Sequence, residues 1–293
     1  MKKLKVDPGD FLLFVTTVVW GVSFPLGKIV LAEMGPLGYS SSRFLIAGLL
    51  LALWSRLREG PIRLPRKDLL TTIGLGIMGY FFFTGIWAVG LTMTTSAKAS
   101  ILISTSPVFA LLMSAIIGKS PKPLAWLGVG ISFLGTYLLI TGAAAAEGLS
   151  GGSLIGDLIF LVAALCWALY NMISVPLIAR HGPLKPTAVA MIIGSTLLLI
   201  PGFGEIVAVP YADLDAEIYG AYFITAVIGG TFGFVWWLAG IGRLGVARAI
   251  PYMYLVPVFG VLGGIYLLDE HLTLVQLGGA AITLVGVALA RRG

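Results

Sequence analysis

Charge is scarce in this sequence. Only 11% of its 293 residues are Asp, Glu, Lys or Arg while 58% are hydrophobic, against about 25% charged in soluble domains. A chain of that kind reads as a polytopic membrane protein. Cysteine is nearly absent: Cys166 stands alone in an apolar stretch, which excludes a disulfide framework and argues against a metal cluster. The two histidines, His181 and His271, are placed in loops, so no metal and no cofactor is implied. With so few nucleophiles and bases, the raw material of an intramembrane enzyme is missing. There is no G-x-x-x-x-G-K-[ST] loop, which argues against ATP drive within this chain. No Asp or Glu falls in the central third of any predicted helix, where proton-coupled pumps usually carry one. That favours a facilitator, or an exchanger coupled through its substrate.

What is present is apolar length. Runs of about 20 residues, the span of a bilayer core, predict ten helices near 10–32, 37–57, 70–91, 96–118, 123–141, 156–180, 185–202, 217–241, 246–268 and 273–291. The start, MKKLKVDPGDFLLFVTTVVW, resembles a signal peptide, but no small-residue cleavage site follows it. It is read as a retained first helix. The formal charge of +6 does not call for nucleic acid, because the cations cluster at helix ends as cytoplasmic anchors. Sixteen of the 19 Lys and Arg fall in segments assigned to the inside, and the other three, Lys28, Arg43 and Lys98, lie within helices. Acids such as Glu33, Glu147, Asp157, Glu205, Asp215 and Glu270 mark the outer segments. Both termini are therefore expected in the cytoplasm of a cell with this protein in its inner membrane. The partners implied are the lipid bilayer and a small molecule.

The chain also repeats itself. TSAKASILISTSPVFALLMSAIIGK, residues 95–119, returns as GVARAIPYMYLVPVFGVLGGIYLLD, residues 245–269, with Lys98 over Arg248 and Pro107 over Pro257. Gly9-Asp10 returns as Gly156-Asp157 and Trp20 as Trp167, an offset of 147. Trp87 and Gly90 return as Trp237 and Gly240, and Gly128, Ser132 and Gly135 as Gly279, Thr283 and Gly286. Residues 1–145 and 146–293 thus form two five-helix units. Five is odd, so the second enters the membrane from the opposite side, the inverted repeat of many alternating-access carriers.

Ten helices, paired halves and the motifs WGVSF, TSAKASILISTSPVFALL, GDLIFLVAALCWALY and ARAIPYMYLVPVFGVLGG resemble the EamA family of the drug/metabolite transporter superfamily, across essentially the whole chain. The resemblance implies export of amino acids or other metabolites, as in its YddG-like branch. It also implies a central cavity lined by helices one to four and six to nine, with five and ten outside. Organic-cation or drug efflux is the rival carrier reading, and a channel is a third. A deep carboxylate would favour the cation reading, and the inverted repeat favours alternation over a fixed pore.

Lys98 and Arg248 are candidate gate charges at opposite mouths, each pairing with an acid when its side closes or attracting a substrate carboxylate. Neither position suits helix stability, since a cation in the first turn opposes the macrodipole. The plainer reading is snorkelling to the headgroups. Pro107, Pro251 and Pro257 free backbone carbonyls and are the expected moving parts. Arg43 is expected to tie helix two to backbone carbonyls or to Glu33. Trp20, Ser23, Phe24, Tyr80, Thr84, Trp87, Trp167, Tyr170, Asn171, Trp237, Tyr252 and Tyr254 are expected near mid-depth as substrate-binding candidates. Each could equally be core. Asn171, the one asparagine, is expected buried and in need of partners. The small residues of helices five and ten let helices approach closely, inside the bundle or across a weak homodimer.

Overall fold

The computed structural model describes residues 7–118, 122–141, 153–244, 252–253 and 255–292. They fold into ten helical rods, with no strand among the described residues. These are α1 (Pro8–Leu31), α2 (Pro36–Glu59) and α3 (Arg66–Met93). Then come α4 (Ser96–Leu102 continued by Ser106–Ile116), α5 (Pro123–Thr141), α6 (Leu154–His181) and α7 (Leu184–Val207). The last are α8 (Ala216–Leu244), α9 (Leu255–Leu268) and α10 (Leu274–Arg292). Seven of them are long and apolar enough to cross a membrane; α5, α9 and α10 contribute shorter apolar stretches. The protein is an all-α membrane protein. Arg248, Pro251 and Tyr254 lie outside the described residues.

Local chemistry sets the helix starts. Asp7 caps α1 by accepting from Gly9 N at 2.7 Å, and Asp10 returns the bond by accepting from Asp7 N at 3.1 Å. This is a capping box with Pro8 at the first helical position. Ser153 caps α6 by accepting from Gly156 N at 3.0 Å. Pro107 does restart a helix: a 3-10 turn, Ile103–Thr105, precedes it. The hydroxyls of Ser104 and Thr105 donate to the carbonyls of Ser100 and Leu102 at 3.1 and 2.7 Å. The carbonyl of Ile103, which Pro107 cannot serve, accepts from the Ser106 N–H instead, so the broken backbone is satisfied inside the bundle, as a membrane requires. Pro257 is buried in the first turn of α9.

Glycine contacts carry the symmetry into three dimensions. A Cβ on Gly90 of α3 would meet Phe160 of α6 at 2.8 Å; on its repeat partner Gly240 of α8 it would meet Leu13 of α1 at 2.5 Å. Leu13 and Phe160 are themselves separated by 147 residues. The antiparallel pairs α3/α6 and α1/α8 are thus equivalents, each built from both halves. The small-residue stripes of α5 and α10 face each other within the chain. A Cβ on Gly128 would sit 2.2 Å from Ala290 N, and one on Gly286 2.2 Å from Ser132 N.

α3 widens to a π-helix at Ile77–Phe83 and α8 at Ile224–Phe232. The two ranges overlap under the repeat offset and lie near the middle of their helices, and such bulges are frequent at functional sites.

Candidate functional site

The centre of the bundle is built around the two π-helical turns. Trp20 of α1 donates from Nε1 to the Gly229 carbonyl of α8's π turn at 3.0 Å. It packs on Phe234 and Trp237 at 5.3 and 5.7 Å. On the equivalent side, the Tyr80 hydroxyl of α3's π turn meets the Tyr170 hydroxyl of α6 at 3.0 Å, both buried. Trp167 stacks on Tyr170 at 5.1 Å and on Phe83 at 4.9 Å. Glycine makes both approaches possible: a Cβ on Gly79 would strike the Tyr170 ring at 2.2 Å, and one on Gly229 would meet Ser23 Oγ at 3.1 Å. Gly79 and Gly229 are repeat partners, as are Ser23 and Tyr170. The two sides therefore share a backbone plan and differ in filling. Two tyrosines close one side, whereas Ser23 and Gly230 leave the other lined by small groups.

Thr84 and Ser23 do not offer their hydroxyls to the centre. Thr84 Oγ1 donates to the Tyr80 carbonyl at 2.7 Å and Ser23 Oγ to the Val19 carbonyl at 2.6 Å. The Thr84 bond satisfies a carbonyl of the π turn. Asn171 is not buried as expected. Its amide is exposed and donates to the Trp167 carbonyl of its own helix at 2.7 Å. It sits nine residues from Val162, about 180° around the helix from that exposed apolar face. Tyr252 is also not at mid-depth; its hydroxyl donates to Asp10 Oδ1 at 2.9 Å, where α1 begins.

Phe24, Trp87 and Phe160 form a second aromatic group, nearer the end at which α4 and α6 begin, with Phe24–Trp87 at 5.4 Å and Trp87–Phe160 at 6.2 Å. Beside it lies Arg43, 7% exposed. Among the described residues, neither Glu33 nor a backbone carbonyl holds its guanidinium. It lies over the rings of Tyr39, Phe44 and Trp87 at 4.7, 4.4 and 4.7 Å. It also donates from Nη1 to the Tyr39 hydroxyl at 2.8 Å.

The ends of the bundle carry the ion pairs. Where α4 and α6 begin, Lys98 pairs with Asp157, both 1% exposed, and Asp157 also accepts from Thr94 Oγ1 at 2.5 Å. Lys28 donates to the Thr94 carbonyl at 2.5 Å and stands 3.9 Å from Glu270. Glu270 covers the first turn of α4, accepting from Ser96 N, Ser96 Oγ and Ala97 N at 2.7, 2.9 and 2.8 Å. A carboxylate there offsets the dipole that Lys98 opposes. At the other end, Asp68 of α3 takes Arg180 and His181 of α6 at 2.7 Å each. His181 is therefore the last residue of a helix rather than part of a free loop. Sequence reasoning missed Asp68. It did place Asp157 in register with Asp10, and Lys98 with Arg248, without joining the two alignments into an acid–cation contact.

Comparison with known proteins decides the family. The EamA-like transporter family model matches residues 7–141 and again residues 154–292. This chain belongs to that family. It is 30% identical over 284 residues to an uncharacterized transporter of Archaeoglobus fulgidus, covering 95% of each chain. It is 29% identical over 301 residues to a probable terminal-alkyne amino-acid exporter of Streptantibioticus cattleyicolor, covering 99% of this chain and 95% of that one. It is 26% identical to the uncharacterized inner membrane transporter YedA of Escherichia coli K12, covering 96% and 90%. A solved crystal structure with 20% identity superposes at a TM-score of 0.64 over 96% of this chain, and shares the fold. The protein is a transporter of the EamA type.

Proposed function

We propose that this transporter exports amino acids, aromatic and hydrophobic ones included, across the inner membrane by alternating access. The observation that carries the reading is a pair of ties at opposite ends, each made to a repeat-equivalent aspartate: Lys98–Asp157 joins α4 to α6, and Tyr252–Asp10 joins the segment before α9 to α1. Asp10 and Asp157 are repeat partners, so the acid of each tie stands at the same position of its half. A carrier that must close one mouth while opening the other needs such a matched pair. The amino-acid assignment is supported by the name of the Streptantibioticus relative and by the aromatic centre around Trp20 and Trp167. A homodimer through α5 and α10 would use their outward faces, where Trp126, Phe133, Leu134, Tyr137 and Val285 are exposed.

The test is uptake and counterflow in proteoliposomes with a labelled amino-acid panel at several pH values. Phenylalanine and leucine are expected to exchange, and Trp20→Ala and Trp167→Ala are each expected to slow exchange about tenfold or more while the protein still inserts and folds, as loss of a ring that positions substrate would do. Exchange at the wild-type rate in both variants would move the substrate path away from this centre. No exchange of any amino acid by the wild type would end the amino-acid reading.

Orientation has its own check. In a background lacking Cys166, Asp215→Cys should label from outside the cell with an impermeant thiol reagent and Arg63→Cys should not. The inward bias of Lys and Arg motivates the expectation, and outside labelling of Arg63→Cys reverses the topology.

A further inference from the structure

We propose that Arg43 is the docking point for a carboxylate of the transported molecule, so that the carrier selects carboxylates with an apolar or aromatic body. The inference deepens the amino-acid reading and rests on it for the choice of probes. Three intramembrane cations are described, and two have an anion at hand: Lys98 pairs with Asp157, and Lys28 stands 3.9 Å from Glu270. For Arg43 the contacts are three aromatic faces and one phenol oxygen. A guanidinium has five N–H donors in a planar fork. Only Nη1 has an acceptor among the described residues, and Nε is buried with no hydrogen-bond partner.

Burying such a group without an anion is costly in a low-dielectric interior. The rings offset part of that cost by cation–π attraction. The rings meet the guanidinium carbon, however, and supply no acceptor for its remaining N–H donors. A carboxylate is the ligand that suits such a fork, because it accepts charge-assisted bonds from a guanidinium. The neighbours suit the rest of such a ligand. Trp87, one of the three rings, leads directly to Phe24 and Phe160. On the far side, Tyr222 packs edge-on against Tyr39 at 6.1 Å and its hydroxyl donates to Ser42 Oγ at 2.7 Å.

Depth agrees with a transport role. Arg43 is seven residues into α2 and Trp87 six residues from the end of α3, about 10 Å below that end of the bundle at 1.5 Å per residue. Lys98 and Asp157 lie within the first turns of α4 and α6. A carboxylate on Arg43 would thus sit deeper than the Lys98–Asp157 tie at that mouth.

Three probes separate recognition from mere packing: phenylalanine, 3-phenylpropionate and phenethylamine, read by ligand-induced thermal shift on the purified wild type and by counterflow in proteoliposomes. The wild type is expected to take the first two and to discriminate against the amine. Arg43→Gln is expected to weaken both carboxylates about 30-fold or more, the usual consequence of losing a buried charge-assisted partner, and so to erase the preference over the amine. Arg43→Lys keeps the charge without the fork and should fall between; it carries the test where Arg43→Gln does not fold. A purely structural arginine would lower stability while leaving the preference intact, and that result overturns the proposal. So does a wild type that prefers the amine. Binding of phenylpropionate with refusal of phenylalanine keeps Arg43 in this role and removes the amino-acid reading. Phenylalanine exchange undiminished in Arg43→Gln does the reverse, and a wild type that takes none of the three removes both.

Discussion

Asp157→Asn should destabilise the protein by about 3–5 kcal/mol, the cost of leaving one charge of a buried pair without its partner. Lys98 is 1% exposed and its ammonium faces Asp157. Removing the carboxylate's charge leaves that ammonium in a setting with little water to replace it. Asp157 also accepts from Thr94, so an asparagine must serve two donors with one carbonyl. Lys98→Met combined with Asp157→Leu should recover most of the loss, because a packed apolar pair carries no desolvation cost. Detergent unfolding of the single and double variants measures both. A stable Asp157→Asn would mean that the pair is better solvated than its burial indicates. A double variant no better than the single would place the loss in packing around Thr94. The double variant should nevertheless transport poorly, since a tie that stabilises one closed state without changing the other is what sets the balance between them.

Much of this arrangement could be read from the sequence, because a bilayer constrains the chain so strongly. Ten apolar runs became ten helical rods, with ends moved by a few residues where capping groups such as Asp7 and Ser153 sit outside the apolar stretch. Position-by-position repeats anticipated the α1/α8 and α3/α6 equivalence, since Gly90 and Gly240 are glycines for the same close approach. The π turns were not legible. Nothing in IMGYFFF or ITAVIGGTF forbids a regular helix, and the extra residue per turn is decided by the partner helix, where Tyr170 and Trp20 press in. Asn171 was misplaced for a related reason. Residue type states what burial would require, but only helix rotation states whether the residue is buried. A cation at Arg43 is expected to reach backbone carbonyls or Glu33, whereas its contacts come from Tyr39 and Phe44 on its own helix and from Trp87 on α3. The chemistry of a cation in a membrane was predictable; the identity of its partners was a matter of packing.

Breaking the ties to the repeat-equivalent Asp10 and Asp157 should shift the carrier in opposite directions. Tyr252→Phe removes only the hydroxyl that donates to Asp10, and leaves the capping bonds of Asp10 and Asp7 in place. A hydrogen bond to a charged acceptor contributes about 1.5–3 kcal/mol, so its loss should shift the equilibrium roughly tenfold or more toward the state open at the α1 end. Lys98→Gln should shift it toward the state open at the α6 end, by more, since a full charge pair is lost. Reporters can be placed with the same symmetry. Thr17 and Ala164 are separated by the repeat offset of 147 and are both 0% exposed. Each lies seven residues beyond its aspartate, about 10 Å deeper. In a background lacking Cys166, Thr17→Cys should react faster in Tyr252→Phe and Ala164→Cys faster in Lys98→Gln, each with an impermeant reagent applied from its own side. Two ties that merely staple helices would speed both reporters in both variants, because loosening a bundle exposes its interior without choosing a side. Reaction at both depths in either variant would therefore abolish the gate assignment, and selective reaction at one depth in each would establish it.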